Sequence, residues 1–438
     1  MLRHVSSKSA ITRMQAIIIV VIVVVAAVGV AGYYYTMPKF GCPSGSRCIA
    51  IVSDTGGRGD LAFNDMAFKG GADSEKDFGV KMLALISRTE SDYIPNLETA
   101  AKDPGVILIV GVGFLLTDAL NATARKYPDK NFAIIDGVVP GLPNVMSIVY
   151  EEHKSSAIVG AIAALTAAAF NYPRIGLVLG IEIPTLWKFE IGYKWGADWA
   201  LKWYQNKFGK PAPAIGSTPV KERVLYTYTG TFSDVTKGYE AAKPMFATDA
   251  AHDAGVVYNV AGATGLGINQ AVQEIATANN LTMGPPFMIG VDSDQDWINP
   301  GFILVSAMKR VDTGVHFATQ MVTEGKFRDV VAASGGIVTL GIGTTVAGMP
   351  IQGVSVSTLG DLDAFIQMGV SAEQLTGKKV LTMPPDQIKA KVTAMRNSVP
   401  SWVWDAANEL QTDINQNPNL VPLAMTKDAV DQWRATLG

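Results

Sequence analysis

The chain has 438 residues, 48% of them hydrophobic and 17% charged, with a formal net charge of −3 at pH 7. That length is too great for one ordinary core and points to two or more lobes. The slightly acidic balance gives no reason to expect nucleic acid as a partner.

The first feature met along the chain is apolar. From Ala16 through Gly32 the residues are almost all Ile, Val and Ala, and no charge occurs between Met14 and Lys39. About 20 such residues cross a bilayer as a helix. Tyr33 to Tyr35 sit where an interfacial aromatic belt lies, and Arg3, Lys8 and Arg13 precede the span. The positive-inside rule then makes 1–15 a cytoplasmic segment, 16–35 a single-pass anchor, 36–47 a linker, and everything beyond extracytoplasmic. A cleaved signal peptide is the alternative. Residues 8–12 (KSAIT) resemble the pilin-like signals of archaeal surface proteins, which leave the apolar stretch in place. Cys42 follows Gly41, but Lys39 and Phe40 do not suit a lipobox. The two cysteines, Cys42 and Cys48, are separated by PSGSR, and outside the membrane a small disulfide loop is expected. The four histidines show no metal-ligand spacing, so neither a metal nor a cofactor is expected.

Beyond the linker, short apolar runs alternate with helical patterns. Strands are expected at 48–54, 80–86, 106–110, 132–136, 145–149, 175–179, 223–227, 255–258, 287–291 and 302–307. Helices are expected at 61–78, 93–102, 117–127, 155–170, 188–208 and 268–279. Apolar strands separated by helices imply parallel sheets covered on both faces. The fold class is α/β, with two Rossmann-like lobes, and no internal repeat stands out. Crossings near 151–154, 307–309 and 340–349 divide the chain. Lobe I takes 48–152 plus 309–338, lobe II takes 153–308 plus 339–398, and 399–438 is a helical, more polar extension.

The chemistry concentrates at strand ends. In SDTGGRGDLAFNDMA (53–67), a strand ends in Asp54, a glycine-rich turn follows, and Phe63 and Asn64 open a helix. The carboxyl ends of parallel strands are where open α/β sheets hold ligands. A carboxylate, an aromatic face and an amide together suit a flat ring with polar edges. Asp54 also has a plainer reading as a helix N-cap, Phe63 as a core aromatic, and Asp136 as a turn residue. Gly262, Gly265 and Gly267 make a glycine-rich turn at a helix start, without the lysine of a phosphate loop. Asp292 ends another strand, and Lys309 lies at a lobe crossing.

Six segments occur in an order that resembles the basic membrane protein family, the PnrA-like nucleoside-binding receptors of ABC transporters. They are Asp54 with Ala62-Phe63-Asn64, FAIID (132–136), GLVLGIEIPTLWKF (176–189), YNVAGATGLG (258–267), GVD (290–292) and SAMKRVD (306–312). The resemblance runs from about residue 49 to 326. It implies a type I periplasmic-binding-protein fold that closes on a purine nucleoside and delivers it to permease subunits. It also implies roles: Phe63 and Phe189 stacking on the base, with Trp187 nearby or packed; Asp136 at the base edge; backbone approach at Gly262 and Gly265; Asp292 and Lys309 on ribose hydroxyls. Trp187 and Lys188 depart from the family's pattern, where basic residues are common, and the tail after Asn397 is longer than usual. A membrane-anchored sensor and a nucleoside-processing enzyme are the alternatives. Only about 15 residues precede the span, too few for a signalling domain, and no catalytic set is in view, so no enzyme is expected.

Overall fold

The computed structural model describes residues 41–377 and 379–436. The stretch expected to cross a membrane, 16–35, and the segment before it lie outside the described residues. Among the described residues no helix is long and apolar enough to cross a membrane.

The strands are β1 (Cys48–Ser53), β2 (Lys81–Leu85), β3 (Val106–Val112), β4 (Asn131–Ile135), β5 (Val145–Tyr150), β6 (Arg174–Leu179), β7 (Val224–Tyr228), β8 (Ala254–Val260), β9 (Phe287–Asp292), β10 (Ile303–Lys309), β11 (Ile337–Leu340), β12 (Thr344–Val346), β13 (Met349–Ile351) and β14 (Val354–Val356). The main helices are α1 (Phe63–Phe78), α2 (Tyr93–Lys102), α3 (Thr117–Lys126), α4 (Glu152–Ala169), α5 (Pro184–Phe208), α6 (Val235–Met245), α7 (Leu266–Ala278), α8 (Val311–Thr323), α9 (Phe327–Ala333), α10 (Leu362–Thr376), α11 (Pro385–Ser398), α12 (Ser401–Gln416) and α13 (Lys427–Thr436).

The first ten strands fall where the apolar runs place them; eight of them are largely buried, and the edge strands β2 and β7 are more open. The last four were not foreseen. They have only three or four residues each, and β11 alternates between exposed and buried, so no sustained periodicity marks them.

Two six-stranded sheets result. The first has the order β11-β5-β4-β3-β1-β2 and is parallel throughout; the second runs β14-β10-β9-β8-β6-β7, with β14 antiparallel at its edge. Apart from that edge the two orders are the same, a repetition in topology that the sequence does not display as similarity. The chain passes from the first sheet to the second between Tyr150 and Glu152 and returns between Lys309 and Val311. It passes over again after Leu340, in a segment that carries the β12–β13 hairpin.

From Ala157 onward helix α4 is apolar on every side apart from Thr166, and all but the last residue of the helix is buried. A helix of that kind must be covered all round. The sheet of lobe II, α5 and α12 cover it. Its approach to α5 is backbone to backbone: Gly160 faces the Tyr193 carbonyl, and Gly192 faces that of His153, where a Cβ would collide. The two cysteines, Cys42 and Cys48, are joined, closing a loop that ties residue 42 to the start of β1.

Candidate ligand-binding site

In each sheet the strand order reverses once, between β1 and β3 in lobe I and between β6 and β8 in lobe II. Such switch points leave a crevice at the carboxyl ends of the strands. A cavity lies there, enclosing about 590 Å³ of empty space with its open, solvent-filled part included, lined by Asp54, Gly113 and Asp136 from lobe I and by Phe189, Val260 and Asp292 from lobe II.

Lobe I supplies a constrained polar loop. Asp60 is the residue that caps α1. Its carboxylate accepts from the Ala62 and Asp65 amides at 3.0 and 3.1 Å and from the Asn64 amide at 2.8 Å. Asp54 is therefore not the cap. Its Oδ1 accepts from the Gly56 amide at 2.9 Å and from Asn64 Nδ2 at 2.8 Å. Gly56 is required by proximity, since a Cβ there would sit 2.9 Å from Asn64 Nδ2. With both donors of its side-chain amide turned to Asp54 and Asp60, Asn64 keeps Oδ1 buried without a hydrogen-bond partner among the described residues. Burial raises the pKa of Asp54, against the hydrogen bonds from Asn64 and Gly56 that favour its ionised form.

Lys309 is the hub. It ends β10, and its Nζ lies 2.6 Å from Asp136 Oδ2, 3.7 Å from Asp292 Oδ1 and 3.7 Å from Glu152 Oε1. The same ammonium stands 4.6 Å from the centre of the Phe63 ring and 5.4 Å from that of Phe189, within cation–π range of both. All four charged side chains are buried. Burial works against the charge on Lys309, yet Asp136, Asp292 and Glu152 together hold its pKa above the ordinary value. Burial pushes Asp292 up to about 6, with Lys309 opposing and Asp136 and Glu152 adding to the rise. Asp136 and Asp292 occupy equivalent positions, one just past β4 and the other ending β9, and both have left-handed backbones with φ of 66° and 62°. Each keeps a buried Oδ1 without a hydrogen bond among the described residues.

Of the residues singled out from sequence, Asp54, Phe63, Asn64, Asp136, Phe189, Gly262, Asp292 and Lys309 all line this one cavity. Gly262 has φ +55°, a conformation that favours glycine. Gly265 stands apart from the lining: its Cα faces the Asn259 side chain so closely that packing alone demands glycine. Trp187 turns away, donating from Nε1 to Glu182 Oε1 at 3.3 Å and packing with Val430 of α13.

Sequence reasoning missed several wall residues. Ile183 and Leu186 precede Phe189 around the start of α5, and Phe232 packs over Gly180. Phe232 lies in TGTFSD just after β7, a turn pattern at a strand end that was available as a signal. The Glu152–Lys188 ion pair, 2.5 Å long and buried, had no local signal. Lys188 also donates to the Tyr150 carbonyl at 2.7 Å, so the first crossing is bound to the start of α5.

Comparison with known proteins fits this geometry. Residues 49–202 and 218–363 match the model of the Bmp family, the PnrA-like ABC transporter substrate-binding proteins. The chain belongs to that family. An uncharacterized lipoprotein of Pyrococcus horikoshii is 35% identical over 386 residues, covering 88% of this chain and 86% of its own. The nucleoside-binding protein BmpA of an ABC transporter of Lactococcus lactis is 30% identical over 64% of this chain and 75% of its own. A solved solute-binding protein of an ABC transporter system from Aeropyrum pernix superimposes with a TM-score of 0.73 at 30% identity, covering 89% of this chain and 97% of that one.

Proposed function

We propose that this member of the Bmp family captures a purine nucleoside outside the cell, closes its lobes over it by a hinge motion, and presents the closed form to an ABC permease. One observation carries the reading: Asn64, Asp136 and Asp292, each with a buried acceptor oxygen that has no hydrogen-bond partner among the described residues, line a cavity flanked by Phe63 and Phe189. An unmade buried hydrogen bond is costly, so the ligand that fits brings several N–H or O–H donors on a flat frame. A nucleoside has both, with donors on the base edge and on the ribose. Asp136, Asp292 and Glu152 around one ammonium, with Asp54 in the lining of the same cavity, disfavour a phosphate, so a nucleoside is preferred to its nucleotide. Nucleoside binding by the Lactococcus relative supports the same ligand class. In this reading Phe63 and Phe189 hold the base, Asp136 reads its N–H edge, Asp292 and Lys309 hold the ribose, and Gly262 lets the backbone come close.

Attachment to the outer face of the membrane is part of the proposal, since the Pyrococcus relative carries the name of a lipoprotein. In this chain the only two cysteines are tied to each other, leaving no thiol for a lipid, so the stretch 16–35 is the proposed anchor. Mass spectrometry of native protein released by detergent checks it. A chain that retains 16–35 with Cys42 and Cys48 joined is expected, and a lipid on Cys42 would refute it.

A thermal-shift screen of residues 39–438 against nucleosides, nucleotides, free bases, sugars and amino acids tests the ligand. A ligand at 100 times its dissociation constant stabilises by about 2.7 kcal/mol. The expected ranking puts a purine nucleoside first and its 5′-monophosphate well below; a sugar or an amino acid at the top overturns the proposal.

A further inference from the structure

One backbone oxygen joins the two lobes next in the chain to the cavity residues Asp60 and Asp292. The Leu61 carbonyl, in the β1–α1 loop of lobe I, accepts from Ser293 Oγ at 2.6 Å and from Gln295 Nε2 at 3.1 Å, both just beyond β9 of lobe II. Neither donor lines the ligand cavity.

Both sides of this contact are braced. On lobe I, Leu61 has φ 52°, a left-handed conformation that costs a leucine roughly 1–2 kcal/mol. The loop holds it there through the Gly59 and Leu61 amides, each 3.0 Å from a carboxylate oxygen of Asp65, and through the Asp60 cap beside it. Strain kept in this way marks a group whose direction matters. On lobe II, Gln295 Oε1 accepts from the Val291 amide at 3.0 Å, and the Gln295 amide donates to Ser306 Oγ at 2.9 Å. That grip fixes the side chain so that its Nε2 reaches outward to Leu61. Leu61, Ser293 and Gln295 are all buried, so parting the lobes exposes a carbonyl and two donors that otherwise satisfy one another.

We infer that Ser293 and Gln295 are a closure latch, positioning residues that grip the Leu61 carbonyl and set the equilibrium between open and closed lobes without touching the ligand. The inference rests on the two-lobe capture proposed above. Because the ligand binds the closed form, its apparent affinity follows the closed fraction. The latch therefore lowers the dissociation constant and slows release for every ligand of the site alike. It also keeps a closed population in the absence of ligand.

The test uses the folded part, residues 39–438, with Ser293→Ala and with Ser293→Ala/Gln295→Glu. The glutamate keeps an oxygen for the Val291 amide and removes the donor to Leu61. Ser293→Ala alone serves if the double variant does not fold. Single cysteines at Lys102 in lobe I and Lys207 in lobe II carry spin labels, since the native cysteines are paired. The unliganded wild type is expected to show a short inter-lobe distance population that the variants lose. Inosine and guanosine should bind the double variant about tenfold more weakly, mainly through faster dissociation, two hydrogen bonds being removed. Their preference between the two nucleosides stays the same. Distance distributions identical to wild type overturn the latch, as does unchanged dissociation of a bound nucleoside, even with a lowered melting temperature. If neither nucleoside binds wild type but the variants still lose the short population, the latch stands and the nucleoside reading falls.

Discussion

The two lobes share one strand order and do different chemistry. At the end of β1, lobe I has Asp54, gripped by Gly56 and Asn64. At the equivalent end of β6, lobe II has Gly180, over which the Phe232 ring packs. Lobe I thus offers carboxylates and an amide, whereas lobe II offers an apolar wall around Phe189 and a single cavity carboxylate, Asp292. They agree only at the third strand of each order, β4 and β9, where Asp136 and Asp292 converge on Lys309. The fold decides where a ligand sits, and the loops decide what it meets.

Breaking the convergence should have the largest effect. Lys309→Met leaves Asp136 and Asp292 without their buried ammonium, and removing one partner of such a set costs about 3–5 kcal/mol. Urea unfolding at pH 7.5 is expected to show that loss, reduced at pH 5 where a carboxyl takes up a proton. A variant as stable as wild type at both pH values would mean that solvent reaches the cluster.

Asp292 sharpens the comparison from the side of lobe II. Its carboxyl titrates near 6 when folded because burial outweighs Lys309, against 3.8 as the ordinary value. Between those values the folded state holds a proton that the unfolded state has released. Its contribution therefore falls as pH rises from about 4 to about 6, by about 3 kcal/mol at 1.36 kcal/mol per unit. Asp292→Asn should lose that part of the pH slope of stability, measured by urea midpoints across the window.

The aromatic walls come next, one from each lobe. Phe63→Ala and Phe189→Ala should each weaken nucleoside binding by about 1–3 kcal/mol, as for bases stacked on aromatic side chains. Calorimetry on folded variants checks this, and unchanged affinity in both would return the rings to core packing. The smallest effect concerns a part outside both walls. Arg434 of α13 pairs with the fully buried Glu190 of α5 at 2.6 Å. Arg434→Ala should cost about 1–2 kcal/mol of stability through the weakened pairing, with Lys194 still 2.6 Å from Glu190. Loss of folding would show that the C-terminal helix is integral to lobe II.

Much of this protein was legible in the chain because the relevant signals are local. Apolar runs such as 48–52 and 287–291 specify buried strands, helical periodicity marks the segments between them, and acidic residues at strand ends point to the ligand edge. Eight of the nine site residues proposed from sequence line one cavity, with Phe189 and Lys309 owed to the family resemblance and not to a local signal. What the sequence does not encode locally is who meets whom. Asp136 and Asp292 become equivalent only because both sheets adopt the same order, and that order depends on crossovers, not on any short pattern. The Glu152–Lys188 pair, the departure of Trp187 toward α13 and the grip of Ser293 on Leu61 likewise join residues far apart in the chain. Such contacts follow from bringing the strand ends of two covered sheets together, where the free energy of a buried charge or carbonyl depends on its spatial neighbours. The chain by itself determined the strands and the carboxyl-end chemistry; the tertiary structure decided the ion-pair hub, the true helix cap at Asp60 and the latch between the lobes.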